Sequence, residues 1–160
     1  RESYQFNMMA YLLKNTISEH GFVSRGECQV DDSGFLTDVT ERVHIEKVNG
    51  QLIRKDEHGS LVPIDENTIV SMNFWGFTLK YFEFGVELFE EFLEENREDL
   101  KAEFYIPSVV QEILKSGKAT VEVLKSNAKW FGVTYKEDKE MVSQEIDRLF
   151  RQKIYPSNLW

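Results

Sequence analysis

The alternation of apolar and polar positions predicts strands along the first half of the chain. The apolar run within residues 6–17 suits a strand or a helix, and the early Asn15-Thr16 pair favours the strand. Residues 23–30 and 35–39 flank a segment, 31–34, whose Asp, Ser and Gly residues predict the turn of a β-hairpin. The chain therefore begins with three predicted strands, two of which pair directly.

A second hairpin and a buried strand are predicted next. Residues 43–48 alternate apolar and polar and meet Asn49-Gly50, a strong hairpin signal, after which the chain returns through Leu52-Ile53. Residues 55–60 are charged and predict an exposed loop. Residues 68–77 are β-branched and aromatic with almost no charge, which predicts a central strand buried on both faces.

The hydrophobic period changes to that of helices in the second half. Most apolar residues within 79–93 fall on one helical face, with glutamates elsewhere. Residues 107–117 predict a second helix from Pro to Gly, and 139–152 a last one. Strands are predicted at 120–124 and 129–135. This order predicts one α/β domain over residues 1–160, strand-rich at first and helix-flanked later.

Composition narrows the possible partners. The chain has 160 residues, 41% of them hydrophobic, which suffices for a core, and a formal net charge of −9. That charge disfavours nucleic acids and anionic membranes. Apolar stretches reach about ten residues, against the roughly 20 of a spanning helix, so no membrane partner is expected. Cys28 is the only cysteine, which excludes an internal disulfide and suits the cytoplasm.

The first group of residues with possible chemistry surrounds the first hairpin. Gly26 lies in its first strand, and Glu41-Arg42 lie on the returning strand. A glycine lets a ligand approach the backbone closely, and an acidic acceptor beside a cation can hold a sugar hydroxyl and a phosphate. An ordinary hairpin with solvated charges explains the same residues.

Three further groups have both structural and functional interpretations. Asn73 lies within the apolar strand 70–74 and needs a backbone or a ligand partner if it is buried. Residues 103–107 place a glutamate before a predicted helix, and residues 129–138 form an aromatic segment before the last helix. Packing and solvated charge suffice for each of them.

Taken together, these groups resemble the sugar-phosphate nucleotidyltransferase family. The segment from Gly26 to Gly34 has the glycine–aspartate–glycine spacing of the family hairpin Gly-Val-x-x-x-Asp-x-x-Gly, and Glu41-Arg42-Val43 stands at the family's Glu-Lys-Pro motif. Residues 70–74 resemble Val-Thr-Gly-Leu-Tyr. Residues 130–138 resemble Trp-x-Asp-x-Gly-Thr-x-Glu-Asp, and the order agrees over most of the chain.

The resemblance implies a fold and a set of contacts. The fold would be part of the mixed-sheet, GT-A-like nucleotidyltransferase fold, namely its carboxyl-terminal, sugar-phosphate side. Gly26 and Glu41 would contact the sugar, and Arg42, in place of the family lysine, the sugar phosphate. The sugar pocket would be lined by Val70, with Asn73 and Phe74 as lesser candidates.

The complete enzyme of this bacterial-type cytoplasmic family joins an NTP and a sugar-1-phosphate into an NDP-sugar and pyrophosphate with Mg²⁺. Gly132 stands where the family has an aspartate that helps to bind Mg²⁺, and the glycine-rich phosphate loop of the amino-terminal half is not in these residues. We therefore expect the chain alone to be inactive, and to self-associate through an exposed apolar sheet edge or face. The alternative is a non-catalytic regulatory or interaction domain that kept the fold.

Overall fold

The computed structural model describes residues 4–18, 21–133, 136–156 and 158. The chain divides into two compact units, Arg1–Ala128 and Lys129–Trp160, here called the N-terminal and the C-terminal unit. Each is described by itself. In the described part of the chain, no helix is both long and apolar enough to cross a bilayer.

The N-terminal unit is built on one mixed sheet. Its strand order is β5-β4-β3-β2-β6-β1-β7, and β1 pairs with β7 in parallel while the other pairs are antiparallel. The strands are β1 Tyr4–Leu12, β2 Val23–Val30, β3 Leu36–Val48, β4 Gln51–Lys55, β5 Leu61–Pro63, β6 Ile69–Gly76 and β7 Ala119–Ser126. A short 3-10 turn, Leu13–Asn15, follows β1, and the helices are α1 Lys80–Glu95 and α2 Ile106–Lys115. The mixed α/β class is confirmed.

The first hairpin forms as predicted, and the side chain of Asp31 stabilises its turn. The Oδ1 of Asp31 accepts hydrogen bonds from the backbone N–H groups of Ser33 and Phe35, both at 2.9 Å, which closes the turn between β2 and β3. The strand β3 then continues without interruption to Val48, so the strand predicted at residues 43–48 is its second half. The short strand β5 was not predicted.

The strand β6 is central, as predicted, but its outer half is not buried. Val70 is fully buried and Ser71 is 5% exposed, whereas Phe74 is 62% exposed. Asn73 adopts a positive φ of 57°, and the pairing with β1 shifts there, because four residues of β6 span two of β1. This bulge turns the strand outward, so the prediction of burial on both faces is wrong beyond Ser71.

Two apolar clusters hold the N-terminal unit together. The larger one joins the sheet to both helices, and its buried members include Met8 of β1, Phe84 of α1 and Ile113 of α2. The smaller one consists of Leu13, Ile45, Leu52 and Val70. Neighbouring residues of a strand point to opposite faces, so Val70 and Ser71 belong to different sides of the sheet.

The C-terminal unit contains α3, Asp138–Arg151, which agrees with the last predicted helix. Residues 129–133 form no strand, so the strand predicted at 129–135 is wrong over its described part, and Thr134 and Tyr135 lie outside the described residues. The indole of Trp130 lies 2.7 Å from where a Cβ on Gly132 would be. This ring contact occupies the side-chain position of Gly132.

Packing of α2 on the sheet should dominate the stability of the N-terminal unit. Ile113 is 2% exposed, so Ile113→Ala should lower the free energy of unfolding by about 2–5 kcal/mol. Leu100 is 99% exposed, and Leu100→Ala should change it by less than about 0.5 kcal/mol. Urea titration followed by tryptophan fluorescence measures both, and equal effects would contradict the packing.

Candidate functional site

Three predicted or adjoining site residues lie side by side across adjacent strands. Gly26 of β2 pairs with Glu41 of β3 on one side and with Ser71 of β6 on the other. Directly paired residues of antiparallel strands project to the same face. Glu41, Gly26 and Ser71 therefore form one transverse row, here called the Glu41 row, on the face of the sheet that carries Cys28 and Val39.

Gly26 lets the neighbouring side chains converge. A Cβ at this position would lie 3.2 Å from Val39 Cγ2, 3.4 Å from Ser71 Cβ and 3.7 Å from Glu41 Oε2. A methyl group would therefore be tight against Val39 and in ordinary van der Waals contact with Ser71 and Glu41. The glycine is buried, and the room above it is taken by neighbouring side chains, so a ligand meets the row at Glu41 first.

Ser71 connects the row to the bulge of β6. The backbone N–H of Asn73 donates to Ser71 Oγ at 3.1 Å, and Trp75 Nε1 donates to Asn73 Oδ1 at 3.2 Å. The Asn73 amide is therefore exposed and already bonded rather than buried and in need of a ligand. Phe74 follows it on the exposed part of the strand.

The Glu41 carboxylate experiences two opposing electrostatic effects. Partial burial raises the pKa of Glu41 above its usual value, and the positive charge of Arg25 lowers it. Arg25 is fixed by Thr16, because its Nε donates to Thr16 Oγ1 at 3.2 Å and its Nη2 to the Thr16 carbonyl at 2.5 Å. Burial lowers the pKa of Arg25 to about 10, so the guanidinium stays charged at neutral pH.

The start of α2 lies near the exposed end of the row. Gln111 fastens the helix to β3 through its amide, which accepts from the Val39 N–H at 3.0 Å and donates to Asp38 Oδ1 at 2.5 Å. The pKa of Tyr105 is raised, first by its hydrogen bond to Glu103 and also by the charge of Glu41. Thus the fold brings the group at residues 103–107 toward Glu41.

The structure separates two of the predicted site residues from this row. Arg42 lies next to Glu41 in sequence, and its Nε donates to Glu27 Oε2 at 2.6 Å. Val70 has no exposed surface and packs in the smaller apolar cluster. Both project to the face opposite the Glu41 row, because side chains alternate along a strand.

Sequence reasoning overlooked two residues within the segments that it singled out. Ser71 is a member of the row, whereas Arg25 pairs with Arg42 and projects to the opposite face, from which its charge acts on Glu41. Arg25 immediately precedes the glycine, and a cation at that position was the available signal. Ser71 could be recognised only from the register, since nothing in its own neighbourhood sets it opposite Gly26.

Cys28 shares the face of the row but is not poised as a nucleophile. Burial raises the pKa of the Cys28 thiol to about 12, so the thiol stays protonated at neutral pH. Its Sγ lies 3.4 Å from the carbonyl oxygen of Gly26, to which it can donate. The thiol therefore acts here as a small buried packing group.

The described residues do not fit the Mg²⁺ that the resemblance implies. Gly132 offers no side-chain ligand, and the Trp130 ring fills the space that a carboxylate there would need. Among residues 4–18, 21–133, 136–156 and 158, no group of three or more His, Cys, Asp or Glu side chains could hold a metal ion. No chemical step is therefore assigned to a metal on this chain.

No protein-family model matches the chain, and a search of curated proteins found no match. We therefore infer function from the residues and their geometry.

The charge on Glu41 should cost stability at neutral pH. Because the folded pKa of Glu41 is raised, its contribution is favourable below the unfolded pKa and is lost as pH rises through the folded value. Glu41→Gln should thus leave the free energy of unfolding at pH 7 unchanged or slightly higher than in the wild type. The difference should vanish near pH 3 (about one unit below the pKa of an unfolded glutamate).

Glu27→Gln is the matched control on the adjacent strand. It breaks the ion pair with Arg42 and should lower the free energy of unfolding by about 1 kcal/mol at pH 7. Urea titrations of both variants at the two pH values measure these effects. Equal losses in the two variants would show that Glu41 is an ordinary structural carboxylate.

Proposed function

We propose that this chain forms the sugar-phosphate side of a nucleotidyltransferase that makes an NDP-sugar and pyrophosphate from an NTP and a sugar-1-phosphate. The observation that supports this is the Glu41 row. Two residues that the resemblance assigns to sugar contact, Gly26 and Glu41, are 15 positions apart in the sequence and are direct neighbours in the sheet. A third polar side chain, Ser71, completes the row.

The row suits a ligand rich in hydroxyl groups. An ionised carboxylate accepts two or more hydrogen bonds, and bonds to a charged acceptor are stronger than those between neutral groups. Glu41 is the exposed member, so it would receive the sugar hydroxyls directly. Gly26 and Ser71 would fix the position of Glu41 from below, and the charge of Arg25, on the opposite face, favours the ionised carboxylate against the larger effect of burial.

In the proposed reaction, a phosphate oxygen of the sugar-1-phosphate forms a new bond to the α-phosphorus of the NTP. The bond between the α-phosphorus and the bridging oxygen breaks, and pyrophosphate leaves with the electron pair. Most of the rate of such a transfer comes from positioning and from neutralising charge. The part of this chain would be positioning, because Glu41 would hold the sugar so that its phosphate is aligned.

The phosphate contact expected of Arg42 requires a rearrangement. Its guanidinium is engaged by Glu27 on the other face of the sheet, so Arg42 would have to exchange that carboxylate for the phosphate. Arg25 is the cation whose charge acts on Glu41 in the observed arrangement. The proposal therefore rests on Glu41 and not on Arg42.

A second candidate is a non-catalytic module that binds sugar phosphates or regulates an enzyme. The contact between Trp130 and Gly132 favours it, because the position of the family's metal-binding aspartate is filled by an aromatic ring. Coding sequence upstream of Arg1 distinguishes the two candidates. A glycine-rich loop with arginine and lysine there supports the enzyme, and its absence supports the module.

Hexose 1-phosphates should bind to the chain through Glu41. Glu41→Gln should weaken binding by about 10- to 100-fold, the equivalent of the 1.5–3 kcal/mol of a hydrogen bond to a charged group. Glu46→Gln is the control, since Glu46 lies on the same strand and bonds to His44 at 3.2 Å. Calorimetric titration with a panel of hexose 1-phosphates, and with inorganic phosphate for comparison, measures this. Binding that is indifferent to Glu41, or no binding at all, contradicts the proposal.

The chain alone should release no pyrophosphate from any NTP in the presence of a sugar-1-phosphate. The reason is that a phosphate-cradling loop is needed to position the nucleotide, and these residues contain no glycine-rich loop of that kind. A coupled assay for pyrophosphate measures it across the four common NTPs. Turnover above the buffer control would refute the assignment of these residues to the sugar side only.

A further inference from the structure

The helix α1, together with Leu79 at its N-terminal cap, carries a row of large apolar side chains that the N-terminal unit leaves exposed. The exposed fractions decrease from 82% at the start of the row to between 43% and 64% along the rest of it. Scattered exposed apolar residues are common, whereas a contiguous row of five is not. The members of this row, here called the apolar row, are Leu79, Phe82, Val86, Phe89 and Leu93.

The core of the unit does not need this row. The side of α1 that packs inward is formed by Phe84, which is 8% exposed, with Tyr81 and Leu88 beside it. Two members of the apolar row touch other aromatic rings of the unit: Phe89 lies against Phe104 at a centroid distance of 5.2 Å, and Phe82 meets Tyr81 edge-on at 5.7 Å. The helix is therefore fixed by one side and presents a second apolar side outward.

The spacing of the apolar row indicates that its partner is a helix. Its members follow one another at intervals of three, four, three and four residues, which is the a/d pattern of helices that pack along their length. Gly85 lies beside the row, and apart from its chain neighbours and its own helix backbone, no atom of the described residues comes within 4 Å of where its Cβ would be. A glycine in a helix costs about 1 kcal/mol, and here it leaves a recess that a partner side chain can enter.

An acidic row runs parallel to the apolar one. Glu83, Glu87, Glu90 and Glu94 repeat the same three-and-four spacing one step around the helix. Between Lys80 and Glu95, the helix carries six glutamates and one lysine. Three members of the acidic row have exposed ion pairs with cations of this chain, and such pairs contribute about 1 kcal/mol or less. The row therefore remains a negative border.

This border disfavours a second copy of the chain as the partner. In an antiparallel pair centred on Val86, Glu83 would face Glu90 of the second copy, which is a like-charge contact. In a parallel pair, Glu90 would face Gly85 of the second copy, and a glycine offers no cation. Each copy also carries a formal net charge of −9. We therefore do not expect two copies of the chain to pair through α1, in contrast to the self-association expected at a sheet edge or face.

We propose that α1 is a docking surface for a basic amphipathic helix of another protein. Apolar side chains of that helix, spaced by three and four residues, lie along the apolar row. Lysine or arginine side chains on one flank of it meet the acidic row. This inference is independent of the sugar-phosphate proposal, since the Glu41 row takes no part in it.

The test uses two synthetic helical peptides of about 21 residues, each with leucines at the a and d positions. One has lysines on its flanks and the other has glutamates, and each is labelled and kept at concentrations where it is monomeric. Fluorescence anisotropy with the full chain should show saturable binding of the lysine peptide only. Raising the salt concentration from about 0.05 to 0.5 M should weaken this binding, because salt screens the charges.

Two pairs of variants test the two rows. Phe82→Ser with Val86→Ser should weaken binding of the lysine peptide at least about tenfold, whereas Leu61→Ser, at a 57% exposed position of β5, should not. Glu83→Lys with Glu90→Lys should weaken the lysine peptide and confer binding of the glutamate peptide. Its control is a variant with the same charge change in loops of the sheet, Asp32→Lys with Glu57→Lys.

Three results would overturn the proposal. Equal binding of both peptides would indicate general adhesion to apolar surface. Undiminished binding of the lysine peptide by the charge-reversed variant would show that the acidic row does not take part in binding. Because this variant alters only exposed positions, it tests the proposal even if the Phe82→Ser variant fails to fold. Sedimentation that shows a dimer of the chain, dissolved by Phe82→Ser, would make a second copy the occupant.

Discussion

The absence of a side chain at Gly26 lets side chains of the two flanking strands converge at the centre of the sheet. A Cβ at this position would lie 3.2 Å from Val39 Cγ2, so the Val39 side chain would have to shift slightly, whereas Ser71 at 3.4 Å and Glu41 at 3.7 Å would be in ordinary contact. The same stretch of β3 receives the amide of Gln111, which fastens α2 to the sheet. The close approach at Gly26 and the attachment of α2 thus share the same stretch of β3.

That approach creates a gradient of polarity across the sheet. Ser71 is 5% exposed, Gly26 is buried, and Glu41 reaches solvent, so the row leads from the interior to the surface. Partial burial opposes the ionisation of Glu41, and Arg25, held by Thr16, favours it. Burial is the larger of the two effects, so the pKa of Glu41 is raised above its usual value.

Local chemistry made much of the fold predictable, and long-range geometry accounts for the errors. The Asp31 turn, Gly117 at the end of α2 and the helical period of α1 are determined by near neighbours, and these predictions are confirmed. The bulge at Asn73 depends on how β6 pairs with β1, and the apolar composition of β6 alone predicts burial that the bulge prevents. The site depends on long-range geometry in the same way. The strand register places Ser71 beside Gly26 and directs Arg42 to the opposite face of the sheet.

The apolar content of α1 shows why hydrophobic period and burial are separate properties. A period identifies which residues share a face, but it does not tell whether the rest of the same protein covers that face. Here Phe84 and its neighbours suffice to anchor the helix, while the residues with the most regular spacing remain exposed. Leaving five large side chains in water opposes solubility, and the glutamates beside them oppose self-pairing. The glutamates repel a second copy of the helix but attract cations, so this apolar surface is suited to a partner that carries positive charge.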